Sequence, residues 1–258
     1  MVNNSPHIHL SIYESDIFQL KTGRYHANRI DADIFKTELQ AHHFDLLNVR
    51  IRKGEDISVL NQLTDYALEK MVEIKNFEMN FPMQYHLSLN HEDIEFVAAT
   101  FADKAILDKL IDESMSEEPI GYFKTTLLKS YVNPIQELQV LKQYYAHFLE
   151  DEDHNKVIWL LQDQSQFCAF IAHEYDEVRK TLNCPLSGIL PAYRQLGIFS
   201  DIGRFTFRRA EALGGIRFST GARANNHASI KAFEKEFLQH YASDEVYILL
   251  HKKWLNFN

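Results

Sequence analysis

Apolar and polar residues alternate along this chain with two different periods. From His7 to Tyr13 (HIHLSIY) every second residue is apolar, which is the period of a strand with one buried face. Ile34, Phe35 and Leu39 begin a helical stripe that Asp31 or Asp33 can cap. Leu46–Ile51 (LLNVRI) reads as a short apolar strand. Ile57, Leu60, Thr64, Ala67, Leu68 and Met71 recur at helical spacing, and Val72–Phe81 alternates again. Pro82 and the polar stretch Ser88–Asp93 then mark a boundary. The pattern predicts an N-terminal α/β module over 1–90 and a second domain over 91–258.

The second part opens with a predicted strand, Ile94–Ala99. Asp103 can cap a helix striped by Ile106, Leu107, Leu110 and Ile111. Asn133-Pro134 starts another helix, whose apolar face is Leu138, Leu141, Tyr145, Phe148 and Leu149. KVIWLLQ and FCAFIAHEYD, separated by DQSQ, predict an antiparallel hairpin. Arg179–Pro191 is extended, Ser200–Leu213 helical up to Gly214-Gly215, IRFSTG a strand, His227–His240 a helix and EVYILLHKKW a last strand. Strands alternating with helices predict α/β layers.

Composition narrows the classes. In 258 residues no run reaches the ~20 apolar residues of a membrane helix. The start, MVNNSPHIHL, lacks a basic stretch followed by an apolar one, so no secretory leader is expected. Cys168 and Cys184 make no disulfide framework, and a cytoplasmic location is expected. A net charge of −9 argues against nucleic-acid binding. The charge is uneven: between Arg194 and Lys231 seven basic residues face only Asp201 and Glu211, a net +5 that leaves −14 elsewhere. A solvated helix face accounts for Arg204, Arg208 and Glu211; a local anionic ligand accounts for the whole window.

The segment Ile189–Phe205 (ILPAYRQLGIFSDIGRF) decides between them. A strand ends at Pro191, and a turn holding Gly197 feeds straight into a helix. The first amides of a helix lack internal partners and carry the positive end of its dipole, so an anion such as a diphosphate fits there. Pro191-Ala192-Tyr193-Arg194-Gln195-Leu196-Gly197-Ile198 resembles the acyl-CoA signature of the GNAT N-acetyltransferases, V-x-P-x-Y-R-G-x-G-I. Asn226 with the helix after it resembles the family's N-x-x-A-x-x-x-Y segment, and the likeness spans Ile94–Trp254. Tyr13–Tyr25 (YESDIFQLKTGRY) resembles the opening of the dTDP-fucosamine acetyltransferase branch, with Tyr13 and Gln19 in place of Trp and Gly.

The resemblance implies a GNAT fold, a central mixed β-sheet flanked by helices, preceded by a smaller partial GNAT-like α/β module. It implies acetyl-CoA as co-substrate, no metal, and direct attack of an amine on the thioester. The branch implies a nucleotide-linked amino sugar as acceptor, and a homodimer is one assembly it allows. Ile189 and Leu190 would pair with the pantetheine arm, and the Leu190 amide would polarise the thioester carbonyl. Arg194, Gln195, Leu196, Gly197, Ile198, Phe199 and Ser200 would surround the diphosphate, with Asn226 on the pantetheine. Gln195 replaces a Gly, so this turn position is expected to have an ordinary φ. Phe199 replaces a small residue. Phe233 replaces the tyrosine that protonates the leaving thiolate, which phenylalanine cannot do; Tyr241 or Tyr247 is the candidate substitute, unless water serves.

Further candidates come from the residues themselves. His173 and Glu174, with Asp176, lie near the end of the strand before the CoA strand and are candidate bases. Asn183 and Ser187, on the CoA strand, are candidate substrate contacts. His7, His9, His42 and His43 find no completing ligands, so no metal site is expected. Cys184 before Pro185 reads as a structural thiol, and Tyr144, Tyr145 and Phe148 as core. Two other functions stay open: a catalytically silent GNAT-like CoA-binding or assembly protein, motivated by Phe233, and an acetyltransferase for a peptide or amino-acid amine.

Overall fold

The computed structural model describes residues 5–81, 88–117, 120–150, 155–235 and 238–256. In chain order the elements are β1 (Ser5–Leu10), α1 (Ile12–Phe18), β2 (Thr22–Ala27), α2 (Ala32–His42), β3 (Leu46–Arg52), α3 (Ser58–Asn61), β4 (Tyr66–Asn80) and β5 (Ile94–Ala98). There follow α4 (Lys104–Met115), α5 (Pro134–Ala146), β6 (Lys156–Asp163), β7 (Gln166–Asp176), β8 (Thr181–Ile189), α6 (Ile198–Ala212), β9 (Arg217–Arg223), α7 (His227–Lys235) and β10 (Gln239–His251). They form two compact units: the described residues of Val2–Lys75, Glu118–Val140 and Ala242–Asn258, and those of Asn76–Glu117 and Leu141–Tyr241.

The first unit has strand order β1-β2-β3-β10-β4. β2 and β3 are parallel, joined by α2, and β10 is antiparallel to β3. On β3, Leu47, Val49 and Ile51 pack with Tyr25, Phe35 and Phe44, while Leu46 packs with Phe18, Tyr122 and Leu128. LLNVRI is therefore apolar because the strand is covered on both faces. Glu14 is buried beside this second cluster; it takes two hydrogen bonds of 2.7 Å from Arg24 and one of 2.7 Å from the Tyr122 hydroxyl.

The second unit has strand order β4-β9-β8-β7-β6-β5, so the architecture is a mixed sheet with helices on it. β5 to β8 are antiparallel neighbours, and β8 and β9 are parallel around α6. The expected hairpin is β6–β7; Gln164 and Ser165 turn it with φ of 44° and 76°, the left-handed pair that a two-residue turn needs. The Asn133 start of α5 is a reciprocal cap: Gln136 N–H donates to Asn133 Oδ1 and Asn133 N–H to Gln136 Oε1, both at 3.0 Å.

Three expectations fail. The first strand ends at Leu10 and Ile12–Phe18 is helical; β2, with its Gly and His, was not foreseen. The helix expected over Ile57–Met71 shrinks to α3, and from Tyr66 the chain is strand. The reason is packing: Tyr66 and Leu68 lie on one core cluster and Met71 on another, which is alternation rather than one helical face. The last helix ends at Lys235, and β10 starts earlier, at Gln239.

Candidate functional site

β8 and β9 pair at only four positions, from Thr181–Arg217 to Cys184–Thr220. Pro185 follows the last pair and has no N–H to continue the ladder. On its other edge, β8 advances from Leu186 to Asn183 while β7 advances from Ala172 to Glu174. β8 thus carries one extra residue opposite His173, a bulge that bends the strand. From Pro185 on, the two strands part. Leu190 N–H bonds Cys168 O at 2.9 Å, so the donors of Leu190, Gly188 and Leu186 face β7. Those of Ser187 and Ile189 face the opening, because donors alternate sides along a strand.

At the end of β8 the chain turns through Pro191–Tyr193 and enters α6. Gly197 is the N-cap with φ of 87°, and no side chain caps this helix. Ser200 and Asp201 N–H both reach Gly197 O, at 3.0 and 3.4 Å. Among the described residues, the amides of Ile198 and Phe199 have no partner. An opened strand edge and an uncapped helix start therefore lie at the two ends of one short connection. Such a place suits a slender ligand that ends in an anion.

No protein-family model matches the sequence, nor does any curated protein sequence. Solved structures do match. A functionally unknown conserved protein from Staphylococcus epidermidis superposes with a TM-score of 0.61 at 10% identity, over 97% of this chain and 93% of that one. A GCN5-related N-acetyltransferase from Kribbella flavida gives 0.56 at 9% identity, over 89% and 80%. A tandem GNAT protein from the clavulanic acid biosynthesis pathway gives 0.56 at 6%, over 88% and 74%. The fold is that of the GNAT acetyltransferases.

Within this GNAT fold the foreseen site residues divide. Ile189, Leu190, Arg194, Gln195, Leu196, Gly197, Ile198, Phe199 and Ser200 line the path from strand to helix. The Leu190 amide is spent on Cys168 and is not free for a thioester, while the Ser187 and Ile189 amides face the open edge. Arg194 folds back, donating to Ile189 O at 3.2 Å and Ser114 O at 3.0 Å, and so ties β8 to the end of α4. Ile198 is buried in the core, and Leu196 is exposed. Asn226 caps α7, accepting from Ser229 N–H at 3.1 Å through Oδ1, which leaves its amide nitrogen free to donate. The Phe233 ring packs on Phe199 and Phe77 with centroids 5.4 and 5.2 Å apart.

The candidate bases lie on opposite faces of β7. His173 points to α6, with Nε2 3.0 Å from Thr206 Oγ1, and is 1% exposed. Burial, with Arg209 nearby, pushes its pKa down to about 3. It is neutral but out of reach of a substrate. Glu174 projects to the other face and keeps some exposure, with Lys156 Nζ 3.8 Å away. Asn183 lies on Glu174's face; its amide donates to Glu174 O at 3.3 Å, and its Oδ1 is buried without a hydrogen-bond partner. Ser187 pairs with Ile171 and shares the α6 face. Tyr241 is half exposed on β10. Tyr247 packs in the first unit's core and donates to Glu245 at 2.8 Å. Burial pushes the Cys184 thiol up to about 12, which fits a structural thiol. Among the described residues, no group of three or more His, Cys, Asp or Glu is placed to hold a metal, and no helix is long and apolar enough to cross a membrane.

The basic window is also dispersed. Arg209 stacks on Trp159 at 4.8 Å, Arg217 reaches Asn80 at 3.3 Å, and Arg204 holds residues 88 and 90. Arg209 and Arg217 do structural work away from the helix start, and Arg204 holds a segment laid against it. Three contributors escaped sequence reading: Asn90, His91 and the Asp201 carboxylate they contact. Pro185 inside a strand was a legible sign of the bulge.

Gln195 has φ of 66°, not an ordinary value. A left-handed non-glycine residue costs about 1–2 kcal/mol. Gln195→Gly is expected to raise the unfolding free energy by about 1 kcal/mol, read as a higher urea midpoint at unchanged slope. A lower midpoint would show that the Gln195 side chain stabilises the turn.

Proposed function

We propose that this protein is an acetyl-CoA-dependent N-acetyltransferase acting on a small primary amine, with a nucleotide-linked amino sugar as the first acceptor to test. The observation that carries the reading is the parting of β8 and β9 at Pro185 beside the uncapped Gly197 start of α6. Acetyl-CoA would supply the acyl thioester. The Ser187 and Ile189 amides would hold the pantetheine arm and stabilise negative charge on the thioester oxygen. The Gly197–Phe199 amides would hold the diphosphate, and Asn226 the pantetheine. Glu174 is the proposed base, directly or through water, with Asn183 beside it on the acceptor face. Tyr241 is the proposed acid. The transfer site is assigned to 91–258, with 1–90 as an accompanying module. The free thiols Cys168 and Cys184 fit a reducing compartment, and the cytoplasm is the proposed location.

One acetyl-CoA per chain is expected. β2 and β3 repeat the parallel strand-helix-strand plan, but all six positions are paired from Thr22–Leu46 to Ala27–Ile51. The start of α2 is occupied as well: Asp31 Oδ1 accepts from Ile34 N–H at 3.1 Å, and Asp31 N–H donates to the Tyr25 hydroxyl at 3.2 Å. A carboxylate at that position also repels phosphate. Calorimetric titration should give a stoichiometry of one; a value of two would place a second site in the first unit, and no binding at millimolar acetyl-CoA would overturn the reading.

A second reading is specifically favoured by Phe233, whose ring brings no hydroxyl to the site: CoA binding without turnover. Thiol release on a panel of amines separates the two. Turnover that falls in Glu174→Gln supports the enzyme; saturable binding with no turnover on any amine supports the silent protein.

A further inference from the structure

Residues 88–91 lie against the first turn of α6, more than a hundred positions away in sequence. Asp201, buried in that turn, accepts from the Asn90 N–H at 2.5 Å through Oδ1, and its Oδ2 lies 2.6 Å from His91 Nδ1. Arg204 Nη1, one turn further along, donates to Ser88 O at 2.6 Å and to Asn90 Oδ1 at 2.7 Å. The His91 ring is thereby held in one place. A Cβ built on Gly197 would sit 3.3 Å from His91 Cε1. With Nδ1 committed to Asp201, the ring atom nearest Gly197 is Cε1, the neighbour of Nε2, and the His91 side chain is still 39% exposed.

This arrangement answers an electrostatic difficulty. A carboxylate in the first turn of a helix opposes an anion at the same helix start, since both seek the same positive end. Asp201 is such a carboxylate. A hydrogen-bond donor standing between that carboxylate and the ligand eases the conflict. We propose that His91 is a diphosphate-binding residue: Nδ1 is held by Asp201, and Nε2–H is donated to the CoA diphosphate at Gly197, so the ring stands between the Asp201 carboxylate and the ligand. The inference rests on the acetyl-CoA reading above and adds to it a residue from outside the strand-to-helix connection.

The test is calorimetry with CoA, dephospho-CoA and pantetheine, on wild type, His91→Gln, His91→Leu and the double variant His91→Gln/Asp201→Asn. His91→Gln is expected to weaken CoA and dephospho-CoA about tenfold alike, because both carry the diphosphate, and to leave pantetheine unchanged. Adding Asp201→Asn should recover most of that loss, because the unbalanced carboxylate is gone. Thermal melts followed by circular dichroism establish that each variant is folded, and His91→Leu replaces His91→Gln if the latter melts early. Wild type that binds CoA while both His91 variants bind it equally well overturns the inference and leaves the acetyl-CoA reading standing. An equal loss on pantetheine overturns it too, since the effect would then be on shape rather than charge. Wild type that binds no CoA overturns both.

Discussion

Gly197→Trp is expected to weaken acetyl-CoA binding by at least about a hundredfold while the chain still folds. Gly197 has φ of 87°, where a bulky L-residue is strained by about 1–2 kcal/mol. Its Cβ would meet His91 Cε1 at 3.3 Å and Asn90 Nδ2 at 3.9 Å, so an indole must either push residues 90–91 aside or fill the space in front of the helix amides. Either outcome removes the cradle. Gly197→Asn is the matching control. Asparagine tolerates the left-handed region and is small, so its loss should be within about tenfold. Calorimetry reads the affinity and a circular dichroism melt the fold. Equal affinity of Gly197→Trp and wild type would show that the diphosphate lies elsewhere.

The second large effect is on stability against acid. Thr206 Oγ1 donates to Ile202 O at 2.7 Å, so it accepts from His173 Nε2–H at 3.0 Å, and Nδ1 is left buried without a partner. Protonating His173 would bury a charge near Arg209 and put a proton on Nδ1 with no acceptor, which is why its pKa falls to about 3. His26 falls to about 4 through burial and then Arg50. Both are ordinary, near 6.5, once unfolded. Between those limits the unfolded chain binds more protons, so this contribution to stability is complete above pH 6.5 and is lost as pH drops. Each residue should cost about 1.4 kcal/mol per pH unit over its window. Urea midpoints at pH 7, 6 and 5 measure the slope. His173→Leu should remove about half of it, and an unaltered slope would show that His173 is accessible to protons in the folded chain, reviving it as a base.

The glutamate next to it illustrates how far a strand can be read. The candidates His173 and Glu174 were found on sequence grounds as a pair, yet β7 sends one beneath α6 and the other to the opposite face. Alternation puts the two on opposite faces, so a helix covering one face buries only one of them. Which one depended on the side that α6 covers, and no residue in the strand records that.

Features whose cause lies within a few residues were written in the chain. The Gln164–Ser165 turn, the Asn133–Gln136 cap, the Gly197 entry to α6 and the break at Pro185 each follow from local backbone chemistry. The alternating strand-helix order that makes a mixed sheet follows from hydrophobic period. Folding had to settle the matters of partnership. Tyr66–Met71 is strand because two separate clusters receive its alternate side chains. The Leu190 amide is lost to Cys168 because of the register set by the bulge. His91 meets Asp201 and Gly197 only when residues 88–91 are laid on α6. Contacts between distant positions depend on how whole elements pack, and a local pattern carries no information about which distant element arrives.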